Sequence, residues 1–192
     1  MAVMTFAAID IGSYEVSMKI FELSKKIGFR ELNDVRYSLE LGKGVYSNGK
    51  LDTQMLDVLC ETLNDFKRMM QDFGVVEYRA CGTSALRELA NPLIIVEQIY
   101  RRTGFKVEIL SNAEQHFLGY KSIAAIERGF KKMIQKGTAI LDVGGRDQQD
   151  QRLYLTKDKE HLTWTLERME TELWVEPPDP VREAVAAFIT AE

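Results

Sequence analysis

Hydrophobic and polar positions change period several times along this chain. Val3 to Ile11 is an apolar run interrupted by one carboxylate, Asp10, and closed by Gly12-Ser13. Glu15, Ser17 and Lys19 then alternate with Val16, Met18 and Ile20. A buried run, a Gly-Ser turn and a period of two predict a hairpin. Val35, Tyr37, Leu39 and Leu41 extend the alternation into a third strand over 28–41, and Gly42, Gly44, Asn48 and Gly49 read as a glycine-rich loop. From Asp52, a natural N-cap, the period becomes helical. Met55, Leu56, Leu59, Leu63, Phe66, Met70 and Phe73 share one stripe, and Gly74 supplies the stop. A fourth strand spans 75–81. Asn91-Pro92 opens a helix whose apolar face is Leu93, Ile94, Val96, Ile99 and Tyr100, ending at Gly104, and a fifth strand spans 105–110. Ser111 and Glu114 have the spacing of a capping box at the head of a further helix.

Three positions in this frame carry chemistry. Asp10 is a charge in a strand that reads as buried. Its cost is met either by capping its own turn or by a cation bound with phosphate, since the backbone N–H groups around Gly12 and Ser13 converge beside it. Arg87 lies just after Gly82-Thr83-Ser84, where Thr83 or Ser84 can cap a helix. A cation in a first helical turn opposes the dipole, so Arg87 is expected to meet an anion: Glu88, Glu114 or a ligand. Glu114 is accounted for by the cap alone.

Composition narrows the class. The 192 residues are 45% hydrophobic with a formal net charge of −4, enough for a core and against nucleic-acid or membrane binding by bulk charge. The charge is uneven, with 6 basic and 11 acidic residues from Arg146 onward. Cys60 and Cys81 sit in ordinary helix and strand patterns and read as unbridged thiols. No His or Cys cluster has zinc spacing, and no run has the length of a membrane span. A cytoplasmic protein is expected.

The opening pattern returns at Thr138-Ala139-Ile140-Leu141-Asp142-Val143-Gly144-Gly145: an apolar strand, one Asp, one apolar residue, then glycine. With Ala8-Ile9-Asp10-Ile11-Gly12-Ser13, Gly82 to Glu88 followed by Asn91, and Leu110 to Gln115, it gives four motifs in register. Over about residues 5–145 these resemble the exopolyphosphatase and guanosine pentaphosphate phosphohydrolase family, of the superfamily of actin, hexokinase and the heat-shock chaperone ATPases. The resemblance implies an α/β fold: an RNase H-like, actin-like ATPase domain with a mixed sheet over 1–124, then the start of an incomplete second domain of the same type over 125–192. It implies a cleft between the two that acts on inorganic polyphosphate or a guanosine phosphate. Asp10 and Asp142 would hold Mg²⁺, and Gly12, Ser13, Gly144 and Gly145 would offer N–H groups to phosphate. Glu114 would activate water, and Arg87 would lie near the substrate.

The chain departs from the family after the second turn. Arg146-Asp147-Gln148-Gln149 stand where a third glycine, a Ser or Thr and a Glu are usual, and Asp147 would repel phosphate. Two further strands, over 152–156 and 161–166, suit a second domain, but little chain remains to complete it. Weak or absent turnover is therefore expected. A non-catalytic phosphate- or nucleotide-binding domain and a self-associating, homodimeric fragment are the alternatives.

Overall fold

A computed structural model describes residues 3–25, 28–126, 141–142 and 152–153. The chain forms two compact units, Met1–Gln115 and His116–Glu192. The first is an α/β unit on a five-stranded mixed sheet of order β3-β2-β1-β4-β5. Strands β1 (Met4–Ile11), β2 (Glu15–Ser24) and β3 (Gly28–Ser38) form an antiparallel meander. Helices α1 (Gly42–Asn48) and α2 (Thr53–Asp72) lead to β4 (Glu77–Gly82), which runs parallel to β1. Helices α3 (Ser84–Arg87) and α4 (Pro92–Thr103) lead to β5 (Val107–Ile109), parallel to β4. Helix α5 (Asn112–Ile126) begins in the first unit and continues into the second.

Sheet alternation fixes the core. Ala7, Ile9 and Ile11, with Val16, Met18 and Ile20, face the helices and are fully buried or nearly so. Leu56, Leu59, Leu63 and Phe66 of α2 close over them, with Ile99 of α4. The opposite face is charged. Lys19 pairs with Glu31 at 2.8 Å and Asp34 at 2.9 Å, and Arg36 pairs with Asp34 and Glu15 at 3.1 and 3.2 Å. Hydrogen bonds from Arg36 and then Lys19 lower the Asp34 carboxyl to about 2. Between Ile20 and Phe21 the β2–β3 register slips by one residue, a bulge that leaves Leu32 packed against the core.

Helix ends follow the sequence signals. The Asp52 side chain accepts from the Met55 N–H at 2.7 Å. At the other end of α2, Gly74 adopts a φ of 61°. The Gly74 and Val75 N–H groups return to the Gln71 and Met70 carbonyls. Cys60 and Cys81 are free thiols. Among the described residues no helix is long and apolar enough to cross a membrane.

Four expectations need correction. The segment read as a glycine-rich loop is α1, closed by Gly49 at a φ of 68°. Gly42 enters that helix because the Tyr46 ring lies where its side chain would be. The buried stripe of α4 is Ile95, Val96, Ile99 and Thr103, so Leu93, Ile94 and Tyr100 are exposed. Asp10 is exposed, not buried: it alternates with Ile9 and Ile11 and projects from the charged face. Arg87 lies in the first turn after the Thr83 N-cap, as expected, but α3 has only that one turn and Arg87 is its last residue. The dipole argument for an anionic partner therefore fails, and Arg87 must be judged by its contacts.

In the second unit β6 (Leu141–Asp142) pairs antiparallel with β7 (Arg152–Leu153), setting Asp142 opposite Arg152. Gly144, Gly145, Arg146, Asp147, Gln149 and the strand expected over 161–166 lie outside the described residues.

Candidate functional site

The carboxyl ends of the parallel strands gather most of the singled-out residues of the first unit. Ile11, Gly82 and Ile109 stand in register across β1, β4 and β5. The Thr83 N–H donates to the Ile11 carbonyl at 3.1 Å, and the Leu110 N–H to the Gly82 carbonyl at 2.9 Å. Asp10, Gly12 and Ser13 thus end one strand, Thr83 to Arg87 follow the next, and Ser111 to Gln115 follow the third. This is the edge at which open α/β sheets take ligands.

The β1–β2 turn is held from one side. Its Ser13 carbonyl accepts from the Gly42 N–H at 2.8 Å, and its Tyr14 carbonyl accepts from the Leu39 and Glu40 N–H groups at 3.0 and 2.9 Å. With both carbonyls committed to residues 39–42, the Ser13 and Tyr14 N–H groups have no backbone acceptor among the described residues. Gly12 is required by the tightness of the turn. Its N–H donates to the Glu15 carbonyl at 3.0 Å, and a Cβ there would sit 2.8 Å from that oxygen. The same hypothetical Cβ lies 4.0 Å from Asp10 Oδ2, so the carboxylate stands beside the turn.

Ser111 and Glu114 form the expected capping box. Glu114 Oε2 accepts from the Ser111 N–H at 2.9 Å and from its hydroxyl at 2.7 Å, and the Glu114 N–H donates back to Ser111 Oγ at 3.2 Å. The Ser111 hydroxyl, then its N–H, hold the Glu114 carboxyl below the usual carboxylate range, with a smaller contribution from the charge of Arg79. Arg79 itself pairs with Glu108 through two hydrogen bonds of 3.0 and 2.8 Å.

Arg87 and Glu114 do not meet. Arg87 Nη1 donates to the Leu110 carbonyl at 2.8 Å and to the Gln115 side-chain oxygen at 3.4 Å. Its Nε is buried without a hydrogen-bond acceptor among the described residues and reaches Glu88 at 4.0 Å. The residue of α5 that faces Arg87 is thus Gln115, a position the sequence patterns do not mark. Its sole cue is adjacency to Glu114, since no periodicity separates two neighbours in one helical turn. Asp142 belongs to the second unit and is described only by its pairing there. Among the described residues no three His, Cys, Asp or Glu side chains cluster as a metal site.

The five-stranded mixed sheet, its helices and the loops at its carboxyl edge define an RNase H-like, actin-like ATPase fold. Residues 20–146 match the model of the Ppx/GppA phosphatase family, and the chain belongs to that family. Exopolyphosphatase 1 of Mycobacterium leprae is 24% identical over 143 residues, which cover 74% of this chain and 41% of that protein. The guanosine-5'-triphosphate,3'-diphosphate pyrophosphatase of Photobacterium profundum is 26% identical over 141 residues, covering 73% of this chain and 27% of that one. Among solved structures, the Aquifex aeolicus Ppx/GppA family member has a TM-score of 0.64 at 23% identity, covering 86% of this chain and 55% of its own. The chain therefore spans well under two thirds of the length of these relatives.

Proposed function

We propose that this chain carries the phosphate-binding part of a metal-dependent phosphoanhydride hydrolase that acts on inorganic polyphosphate or a guanosine penta- or tetraphosphate. The observation that carries this reading is the β1–β2 turn. Its Ser13 and Tyr14 N–H groups have no backbone acceptor among the described residues, and the Asp10 carboxylate lies beside Gly12 of the same turn, on the strand edge where such folds take ligands. Mg²⁺ is commonly bound by one or two carboxylates and completes its shell with water and phosphate oxygens. Asp10 would be one of these ligands, with Gly12 and Ser13 offering N–H groups to phosphate; the Asp142-Val143-Gly144-Gly145 repeat carries the same residue types in the second unit. Bound Mg²⁺ would neutralise phosphate charge.

Glu114 is the proposed base that orients and activates the attacking water. Both Ser111 donors go to Oε2, which leaves Oε1 as the acceptor for that water, so the side chain serves cap and base together. Its lowered carboxyl keeps it ionised at neutral pH.

The test is Mg²⁺-dependent phosphate release from polyphosphate and from guanosine pentaphosphate. Glu114→Gln should cost roughly 10²–10⁴-fold in rate. Asp10→Ala should abolish Mg²⁺-dependent phosphate release. Unchanged rates in both variants would remove these roles. A second reading, binding without turnover, is favoured by the engagement of Glu114 in its cap. It would be selected by bound guanosine tetraphosphate that survives long incubation intact.

A further inference from the structure

Tyr14 closes the β1–β2 turn at the ligand edge of the sheet, and it is 48% exposed. The aromatic pairs among the described residues join Phe21 to Phe29, Tyr37 to Phe66 and Tyr78 to Phe105, and they leave Tyr14 out. The backbone beneath the ring is nonetheless fixed, because the Tyr14 carbonyl takes the Leu39 and Glu40 N–H groups. Glu40 adopts a φ of 53°, a left-handed conformation that is costly for a residue with a Cβ. Two bonds hold it there: its N–H donates to Tyr14, and its carbonyl accepts from the Lys43 N–H at 3.0 Å. A strained segment thus presents an aromatic face from a set position, so little conformational freedom is lost when a ligand covers that face.

The charges that border the ring cancel one another. Glu15 pairs with Arg36 at 3.2 Å, and Glu40 pairs with Lys43. Glu40 first, and the Tyr14 phenol more weakly, hold the Lys43 ammonium above the ordinary lysine range, which sets the phenol on the α1 side of the turn. A long polyanion crossing this rim would meet two carboxylates, and both bordering cations are already paired with them. A nucleoside base offers the ring a flat, uncharged face instead. We propose that Tyr14 is a specificity-determining residue: its ring stacks on the base of a guanosine phosphate whose phosphate lies at the Ser13 and Tyr14 N–H groups, so the site takes nucleoside phosphates in preference to inorganic polyphosphate. The proposal rests on the phosphate-binding reading above and narrows its substrate class.

The experiment is calorimetric titration of the full chain with guanosine tetraphosphate and, separately, with inorganic tripolyphosphate, each with Mg²⁺ at fixed ionic strength. The chain should bind the guanosine ligand more tightly. Tyr14→Ala should weaken that ligand by roughly tenfold more than it weakens tripolyphosphate, through the loss of one base–aromatic stack. Tyr14→Trp, which keeps a π-face, should hold the ratio of the two affinities within about twofold of wild type. The guanine H8 resonance should move upfield on binding to the wild-type chain, through the ring current of Tyr14, and should lose that shift with Tyr14→Leu. If Tyr14→Ala does not fold, as judged by circular dichroism, Tyr14→Leu decides by the same two titrations, since leucine keeps apolar bulk without a π-face. Equal losses for the two ligands in the Ala and Leu variants would overturn the proposal while leaving the phosphate-binding reading intact. So would a wild-type chain that binds tripolyphosphate and not guanosine tetraphosphate. A chain that binds neither would overturn both.

Discussion

Ser111 is the side chain on which Glu114 depends. It supplies both donors to Oε2, and removing its hydroxyl leaves the helix N-terminus with one bond fewer and the carboxylate less stabilised. Ser111→Ala should cost about 1 kcal/mol of stability, read from chemical denaturation. The sign of the pH effect follows from the lowered Glu114 carboxyl. Its stabilisation is fully present above the ordinary glutamate range and is lost as pH falls through the lower folded value. The gap between wild type and Ser111→Ala should therefore close in acid. If Glu114 is the base, the acid limb of phosphate release should move to higher pH in Ser111→Ala, towards that of an ordinary glutamate. A cap with no catalytic role would move stability and leave the limb in place.

At the scale of elements, α1 stands out because it fixes the turn after β1. The Gly42 N–H binds the Ser13 carbonyl at 2.8 Å, and a Cβ on Gly42 would lie 2.4 Å from a carbon of the Tyr46 ring and 3.2 Å from Ser13 Cβ. Gly42→Ala should thus destabilise the protein by about 1–3 kcal/mol and weaken tripolyphosphate binding, because relief of the clash displaces the turn. Gly44→Ala, whose Cβ would meet only the Lys50 carbonyl at 3.3 Å, should cost less, since alanine is favoured within a helix. Urea denaturation of the pair provides the comparison. Elements of this kind were partly legible in the sequence. The strand periods, the Asp52 cap, the Gly74 stop and the Ser111–Glu114 box are local signals, and each has the partner its spacing implies. The helix over Gly42–Asn48 was not legible, because Gly42 is placed by contact with Ser13 and Tyr46. Arg87 lies in the helical turn expected for it, but its partners were not legible for the same kind of reason. Four helical residues leave no periodicity to read, and the Leu110 carbonyl it binds is 23 positions away. Asp10 looked buried because Ile9 and Ile11 flank it, but strand alternation turns it to the other face.

The chain as a whole spans 41% of one relative and 27% of another, so binding and turnover are separable questions for it. Binding is the one the first unit bears on directly, for Asp10, the Gly12–Ser13 turn and Arg87 all belong to residues 1–115. A ligand that binds the folded state stabilises it whether or not it is cleaved, by about 2.7 kcal/mol when present at a hundred times its dissociation constant. For a chain of this length that corresponds to an increase of roughly 5–10 °C in melting temperature, where the transition is cooperative. Tripolyphosphate and Mg²⁺ together should produce the increase, and either alone should produce less, because Asp10 attracts phosphate only through the cation. Asp10→Asn should abolish the dependence on Mg²⁺. An increase accompanied by phosphate release makes the chain a hydrolase in its own right. An increase with no release makes it a binder whose chemistry needs residues it does not carry. No increase at all would detach Asp10 and its turn from phosphate, leaving the fold as the sole property shared with the phosphatases of the family.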